Sequence, residues 1–247
     1  MDRHTKWLAL SAKTFEKNTA FEVRTEVLKS GTLDNRNFTL VRLVRQNAED
    51  LLKLVNEILN LNKLEAGKLE LHEEPVVVYN LIRRLVANFE SHAQQQNIRF
   101  NFNYQPDKYL QLALDTHKIE KIINNLLSNA LKFTPKEGII TVSVTDLQNQ
   151  LLITVNDTGR GIPPVDLPQV FNRFYQSPQS DATSNMGSGI GLSLALELAK
   201  LMNGSLTVES TFGKGSKFSF SFPKKEILGT VASKEAIEMN DELGMGN

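Results

Sequence analysis

Asn125-Leu126-Leu127-Ser128-Asn129-Ala130-Leu131-Lys132 decides how this chain is read. Residues three and four apart share one face of a helix, so Asn125, Asn129 and Lys132 point the same way. Ile122, Leu126, Leu127 and Ala130 fall on the other side and are candidates for burial. Two amide oxygens and an ammonium on one face suit a magnesium ion and phosphate together, because Mg²⁺ takes hard oxygen ligands and keeps phosphate oxygens in its shell. The same pattern also suits a plain solvated helix face, so its neighbours have to decide.

Downstream, Asp157-Thr158-Gly159-Arg160-Gly161-Ile162 follows the apolar run Leu151 to Val155. A carboxylate at the end of an apolar strand needs a donor, and an exocyclic adenine amine is one. Alternate glycines let the backbone turn tightly and approach a ligand, although an ordinary Asx turn reads the same way. Gly187-Ser188-Gly189-Ile190-Gly191-Leu192 opens a helix, where exposed backbone amides favour phosphate. It is neither a Walker loop nor a Rossmann fingerprint. Gly213-Lys214-Gly215-Ser216 reads as a tight hairpin.

Working outward, the coarse pattern predicts helices over Tyr79–Gln95, Thr116–Lys132 and Ile190–Met202. It predicts strands over Ile98–Tyr104, Tyr109–Leu114, Ile139–Val144, Leu151–Val155, Ser205–Glu209 and Lys217–Phe222. That mixture implies an α+β two-layer sandwich with a mixed, largely antiparallel sheet. Upstream, Leu40, Val44, Asn47, Leu51, Leu54, Ile58 and Leu61 step by four and three residues, a heptad seam with one polar member. With Thr5–Ser30 before it and turn signals over Gly31–Asn37, this predicts an antiparallel helical hairpin. The hairpin is either purely structural or half of a dimerising four-helix bundle. The expected organisation is a hairpin over 1–68, a second domain over 69–223 and a polar tail over 224–247.

The chain has 247 residues, 40% apolar and 23% charged, with a formal net charge of zero. Zero net charge gives no electrostatic argument for nucleic acid or a membrane surface. The absence of cysteine excludes disulfides, zinc thiolates and a thiol nucleophile. No apolar run approaches the roughly 18 residues of a spanning helix, and no signal peptide opens the chain. The segment is expected to be cytoplasmic, on its own or as part of a membrane-anchored sensor, without direct membrane contact.

The order of these segments resembles the GHKL (Bergerat-type) ATP-binding domain shared by sensor histidine kinases, type II topoisomerases and related ATPases. Asn125–Lys132 is similar to the asparagine box. Asp157–Ile162, Gly187–Leu192 and Gly213–Ser216 are similar to the glycine boxes, and Phe171-Asn172-Arg173-Phe174-Tyr175 to the phenylalanine box of histidine kinases. Asn60–Leu69 resembles the junction after their dimerisation hairpin. The resemblance spans about Phe38 to Pro223.

The resemblance implies that Asn129 holds Mg²⁺, Asn125 supports it and Lys132 reaches a phosphate, so that Asn125 and Lys132 carry the catalysis. It implies that Asp157 accepts from the adenine amine, with Gly159, Gly161 and Ile162 about the base. Gly187, Gly189, Ile190, Gly191 and Leu192 would serve the phosphates. Phe174 and Ser216 would complete the ATP site, with Phe171–Asn185 as a lid. The implied activity is transfer of the γ-phosphate of Mg-ATP to a histidine, in a homodimer formed through the hairpin, with a response-regulator receiver domain as partner. Related ATPases carry a glutamate where Asn125 stands. An amide is no base at neutral pH, which argues against ATP hydrolysis.

The acceptor position departs from the family. One alignment places Phe21 where the histidine belongs, and another lands near Ser11 and Ala12. His4 sits close to the terminus, and His72, His92 and His117 lie outside that helix. The alternative is therefore a nucleotide-binding regulatory module without self-phosphorylation.

Overall fold

The structure is a computed structural model that describes residues 35–177 and 188–225. The expected first helix with His4, Ser11, Ala12 and Phe21, part of the expected lid, Gly187 and most of the tail lie outside the described residues.

Helix α1 (Asn35–Glu65) ends because Gly67 supplies a left-handed residue, φ 60°. Gly67 N–H donates to Leu64 O at 2.9 Å and Lys68 N–H to Lys63 O at 2.9 Å. Those two bonds make a Schellman cap. The heptad seam divides along the helix: Leu61 is buried and Leu54, Ile58 and Leu64 pack on the domain core, whereas Val44 and Leu51 are exposed.

After α1 come β1 (Glu74–Val77), α2 (Val78–Gln95), β2 (Arg99–Tyr104), β3 (Gln111–Leu114) and α3 (Thr116–Phe133). Then follow β4 (Ile139–Leu147), β5 (Gln150–Asp157), α4 (Gly191–Leu201), β6 (Ser205–Thr211) and β7 (Gly215–Pro223). The main sheet has the order β2-β4-β5-β7-β6. Only its β2–β4 pair is parallel. Strands β1 and β3 form a separate antiparallel pair. The fold is thus the expected α+β sandwich with a mixed, largely antiparallel sheet. Six predicted elements run one to three residues longer; the Ile98–Tyr104 strand begins at Arg99, the Tyr109–Leu114 strand at Gln111, the Ile190–Met202 helix covers only Gly191–Leu201, and β1 was not predicted at all.

Two-residue alternation builds the core. Ile140, Val142 and Val144 of β4, Leu151, Ile153 and Val155 of β5, and Phe218, Phe220 and Phe222 of β7 are buried in register. They face Leu81, Ile82 and Val86 of α2, Ile119, Ile122, Ile123, Leu126 and Leu127 of α3, and Leu194, Ala195 and Leu198 of α4. Each such large aliphatic side chain contributes about 1.5–3 kcal/mol by leaving water. The row Leu151–Ile153–Val155 continues to Asp157, so the same alternation carries a carboxylate to the core face at the strand's end.

Helix α3 is pinned at both ends. Asp115 caps it, accepting from Lys118 N–H at 3.0 Å, from the Lys118 ammonium at 3.0 Å and from His72 N–H at 2.9 Å. Against the burial of the group, these donors hold its carboxyl below the ordinary value. At the other end Thr134 Oγ1 donates to Ala130 O at 2.6 Å. The asparagine face of α3 is thereby fixed in height and rotation. Beyond Pro223, Ala113 N–H donates to Lys225 O at 2.9 Å, so the last described residues remain tied to β3.

Candidate active site

A cavity of about 420 Å³ opens between α3, the end of β5, the N-terminus of α4 and the β6–β7 hairpin. That volume lies in the range of small-molecule sites. From α3 come Asn125, Ser128, Asn129 and Lys132; from the end of β5 comes Asp157. Gly161 and Ile162 line one side, Gly189, Gly191 and Leu192 another, and Ser216 closes the floor. Ten of the expected site residues therefore line one cavity.

Four expected residues are placed otherwise. Gly187 lies outside the described residues. Ile190 is fully buried in the core beneath the α4 terminus. Phe174 has a left-handed backbone (φ 59°) and donates its N–H to Gly189 O at 2.9 Å; the residue is 63% exposed and does not line the cavity. Tyr175 lines the cavity in its stead. Gly159 is not on the wall either: a Cβ there would meet Phe133 O at 2.4 Å.

The glycines admit protein backbone more than ligand. A Cβ at Gly161 (φ 68°) would lie 2.2 Å from Thr211 O, and one at Gly215 (φ 111°) 1.9 Å from Asp157 O. Ser210 accepts from Ile162 N–H at 2.8 Å and donates to Gly215 O at 2.7 Å, while Gly213 N–H donates to Arg160 O at 2.7 Å. The loop after β5 is thus laced to the β6–β7 hairpin, and both glycine segments serve that close approach.

Asp157 is 6% exposed. Burial pushes its carboxyl above the ordinary value, opposed by the Gly159 N–H at 2.8 Å and by the Ser216 backbone. A costly buried carboxylate on a cavity wall is a candidate acceptor. Also on the cavity wall, the Lys132 ammonium lies 5.2 Å and the Arg160 guanidinium 4.7 Å from the centre of the Phe133 ring. Burial, then Arg160, lowers the Lys132 pKa. The cavity wall therefore carries both cationic and anionic groups. The α4 N-terminus has no side-chain cap, so its first amides are available to an anion.

Two features of the wall carried no sequence signal. Asp166 accepts from Tyr175 Oη at 2.7 Å and from Ser177 Oγ, tying the start of the expected lid to the segment after Pro163. Glu57 reaches the cavity from α1, over a hundred residues away in the chain. Neither belongs to a local motif.

The family described as histidine kinase-, DNA gyrase B-, and HSP90-like ATPase matches residues 114–226, which hold the whole of α3, β4, β5, α4, β6 and β7. Those residues belong to that ATPase family. The chain is also homologous to sensor histidine kinases beyond the ATPase-family domain. It is 30% identical over 227 residues to the sensor histidine kinase WalK of Bacillus subtilis, covering 87% of this chain and 37% of that protein. It is 36% identical over 200 residues to the sensor histidine kinase TmoS of Ectopseudomonas mendocina, covering 81% and 20%. The chain therefore spans between a fifth and two fifths of these relatives. In fold it resembles full-length ShkA solved with AMPPNP (TM-score 0.74, 24% identity, 90% of this chain and 46% of that one). It also resembles the catalytic domain of the histidine kinase ThkA (TM-score 0.55, 25% identity, 63% and 97%).

Proposed function

We propose that this chain binds Mg-ATP in the cavity and transfers its γ-phosphate to a histidine, as the kinase of a two-component pathway. One arrangement supports the reading above all: the amide–ammonium face of α3 and the buried Asp157 line the same cavity. In this reading Asp157 accepts from the adenine amine, and the uncapped amides at Gly191 and beyond receive phosphate oxygens. Lys132 neutralises charge on the phosphate chain, the main requirement of phosphoryl transfer.

The donor set fits a magnesium ion delivered with the nucleotide. Asn129 offers one hard amide oxygen, and among the described residues no group of three or more His, Cys, Asp or Glu forms a metal cage of its own. Asn129, with Asn125 beside it, would hold such an ion, which would supply positive charge to the phosphates. Asn125, beside Asn129, supplies an amide and no base, so water is left unactivated and transfer to another nucleophile is favoured over hydrolysis.

The recipient lies elsewhere than in the cavity. A homodimer through the hairpin would present it, and a receiver domain would take the phosphate onward. The exposed Val44 and Leu51 on α1 agree with a further helical partner. No helix among the described residues is long and apolar enough to cross a membrane. A second reading, a nucleotide-binding regulatory module, is favoured by one observation: neither Phe21 nor Ser11 nor Ala12 is a histidine.

Incubation with γ-labelled ATP and Mg²⁺ separates the two readings. Acid-labile label on this chain or on an added partner hairpin supports the kinase. ATP binding with no label on any candidate supports the regulatory module. Asn129→Ala should abolish Mg-nucleotide binding in either case, and parent-like affinity would overturn the metal assignment.

A further inference from the structure

Glu57 lies on α1, outside the ATPase-family domain, yet it is 9% exposed and forms part of the cavity wall. Its carboxylate accepts from Ser188 Oγ at 3.0 Å, and the same Ser188 oxygen accepts from Ile190 N–H at 3.2 Å. One hydroxyl therefore joins a carboxylate on the long helix to the amide of Ile190, the residue just before α4. Helix α1 packs against α4, which holds the carboxylate in place. Lys121 on α3 interacts electrostatically with the Glu57 carboxylate.

This end of the cavity favours anions, because the α4 amides converge there without a capping side chain. In the described state the anion that approaches it is the protein's own. A carboxylate beside a phosphate site opposes each further negative charge brought in, and the opposition grows as the cavity excludes water.

We propose that Glu57 sets which phosphate chain the cavity accepts while α1 is docked, acting as a built-in anion that disfavours the terminal phosphate of a nucleoside triphosphate. The inference rests on the adenine-nucleotide reading given above. Its consequence is a docked helix that tolerates the diphosphate product and resists the triphosphate. Triphosphate binding and release of α1 from α4 are then linked, since a ligand that binds one state better shifts the balance towards it.

The test uses the full chain and isothermal titration with ADP and with a non-hydrolysable ATP analogue, each with Mg²⁺. Glu57→Gln keeps the size and an acceptor oxygen for Ser188 and removes only the charge. It should tighten the triphosphate analogue about tenfold, a usual coupling strength, and leave ADP within about twofold of the parent. Ser188→Ala, which frees the carboxylate from the α4 terminus, should move the analogue in the same direction by less. Equal shifts for both nucleotides, or weaker analogue binding in Glu57→Gln, would overturn the inference and leave the nucleotide reading intact. Failure of both nucleotides to bind either the parent or the variants would overturn the nucleotide reading and this inference with it.

Discussion

Asn125 and Gly191 share one small volume: a methyl group added at Gly191 would stand 2.6 Å from Asn125 Oδ1. The amide on α3 therefore fits where it does only because the first residue of α4 has no side chain. The meeting point of the two helices is also where magnesium and phosphate are proposed to lie.

Gly191→Ala should consequently separate stability from binding. The clash falls on the far end of a side chain, and alanine is the better helix former by up to about 1 kcal/mol. Thermal unfolding should stay within roughly 3 °C of the parent, near the shift that 1 kcal/mol gives at this size. Affinity for Mg-ATP should drop about tenfold as the amide swings aside, the equivalent of about one hydrogen bond. Asn125→Ala combined with Gly191→Ala should be markedly non-additive, as expected of residues in contact. Additive losses in titration would show that the two positions act independently.

Asp157 should trade stability for function. Burial raises its pKa from the ordinary 3.8, so ionisation costs more in the folded protein than in the unfolded chain. For a raised pKa the favourable contribution is complete below 3.8 and is lost as pH rises through the folded value. Asp157→Asn escapes that loss. It should melt about 2–4 °C above the parent at pH 7, the shift expected for roughly 1 kcal/mol in a chain of this size. The difference should narrow as pH falls towards 3.8. Adenine-nucleotide binding should weaken at least about tenfold, because the charged acceptor is gone. Calorimetric melts across the acid range decide the sign, and a gap that widens on acidification would refute the assignment.

Tyr175→Phe tests how the lid is anchored. Asp166 is held below the ordinary carboxylate value, first by the Ser177 hydroxyl and then by the Tyr175 hydroxyl. For a depressed pKa the sign is reversed: the stabilisation is present above 3.8 and disappears as pH falls through the folded value. The phenylalanine variant should be less stable than the parent at neutral pH, and the gap should close on acidification below 3.8. Nucleotide affinity should fall roughly threefold, the equivalent of less than one full hydrogen bond. Chemical denaturation at several pH values provides the measurement.

Much of this molecule was readable along the chain because it rests on short periods. The helical spacing of Ile122, Leu126, Leu127 and Ala130 predicts both the helix and its buried face. Alternation in Leu151, Ile153 and Val155 predicts the strand, and extending it by one step places Asp157 on the core side. Strand β1 was missed because Glu74-Pro75-Val76-Val77 has too few residues to show a period, and only its pairing with β3 makes it a strand. The glycines were legible as tight turns. Their closest neighbours, Phe133 O, Thr211 O and Asp157 O, were not.

By itself the sequence determined the order of the elements, the chemistry of the asparagine face and the glycine-marked turns, because each depends on residues a few positions apart. The tertiary structure alone decided that Phe174 turns outward, that Asp166 secures Tyr175 and Ser177, and that Glu57 meets Ser188. Those contacts join residues from 9 to 131 positions apart or depend on a left-handed backbone set by a neighbour. No local spacing encodes them: they follow from packing helices and a sheet around one core.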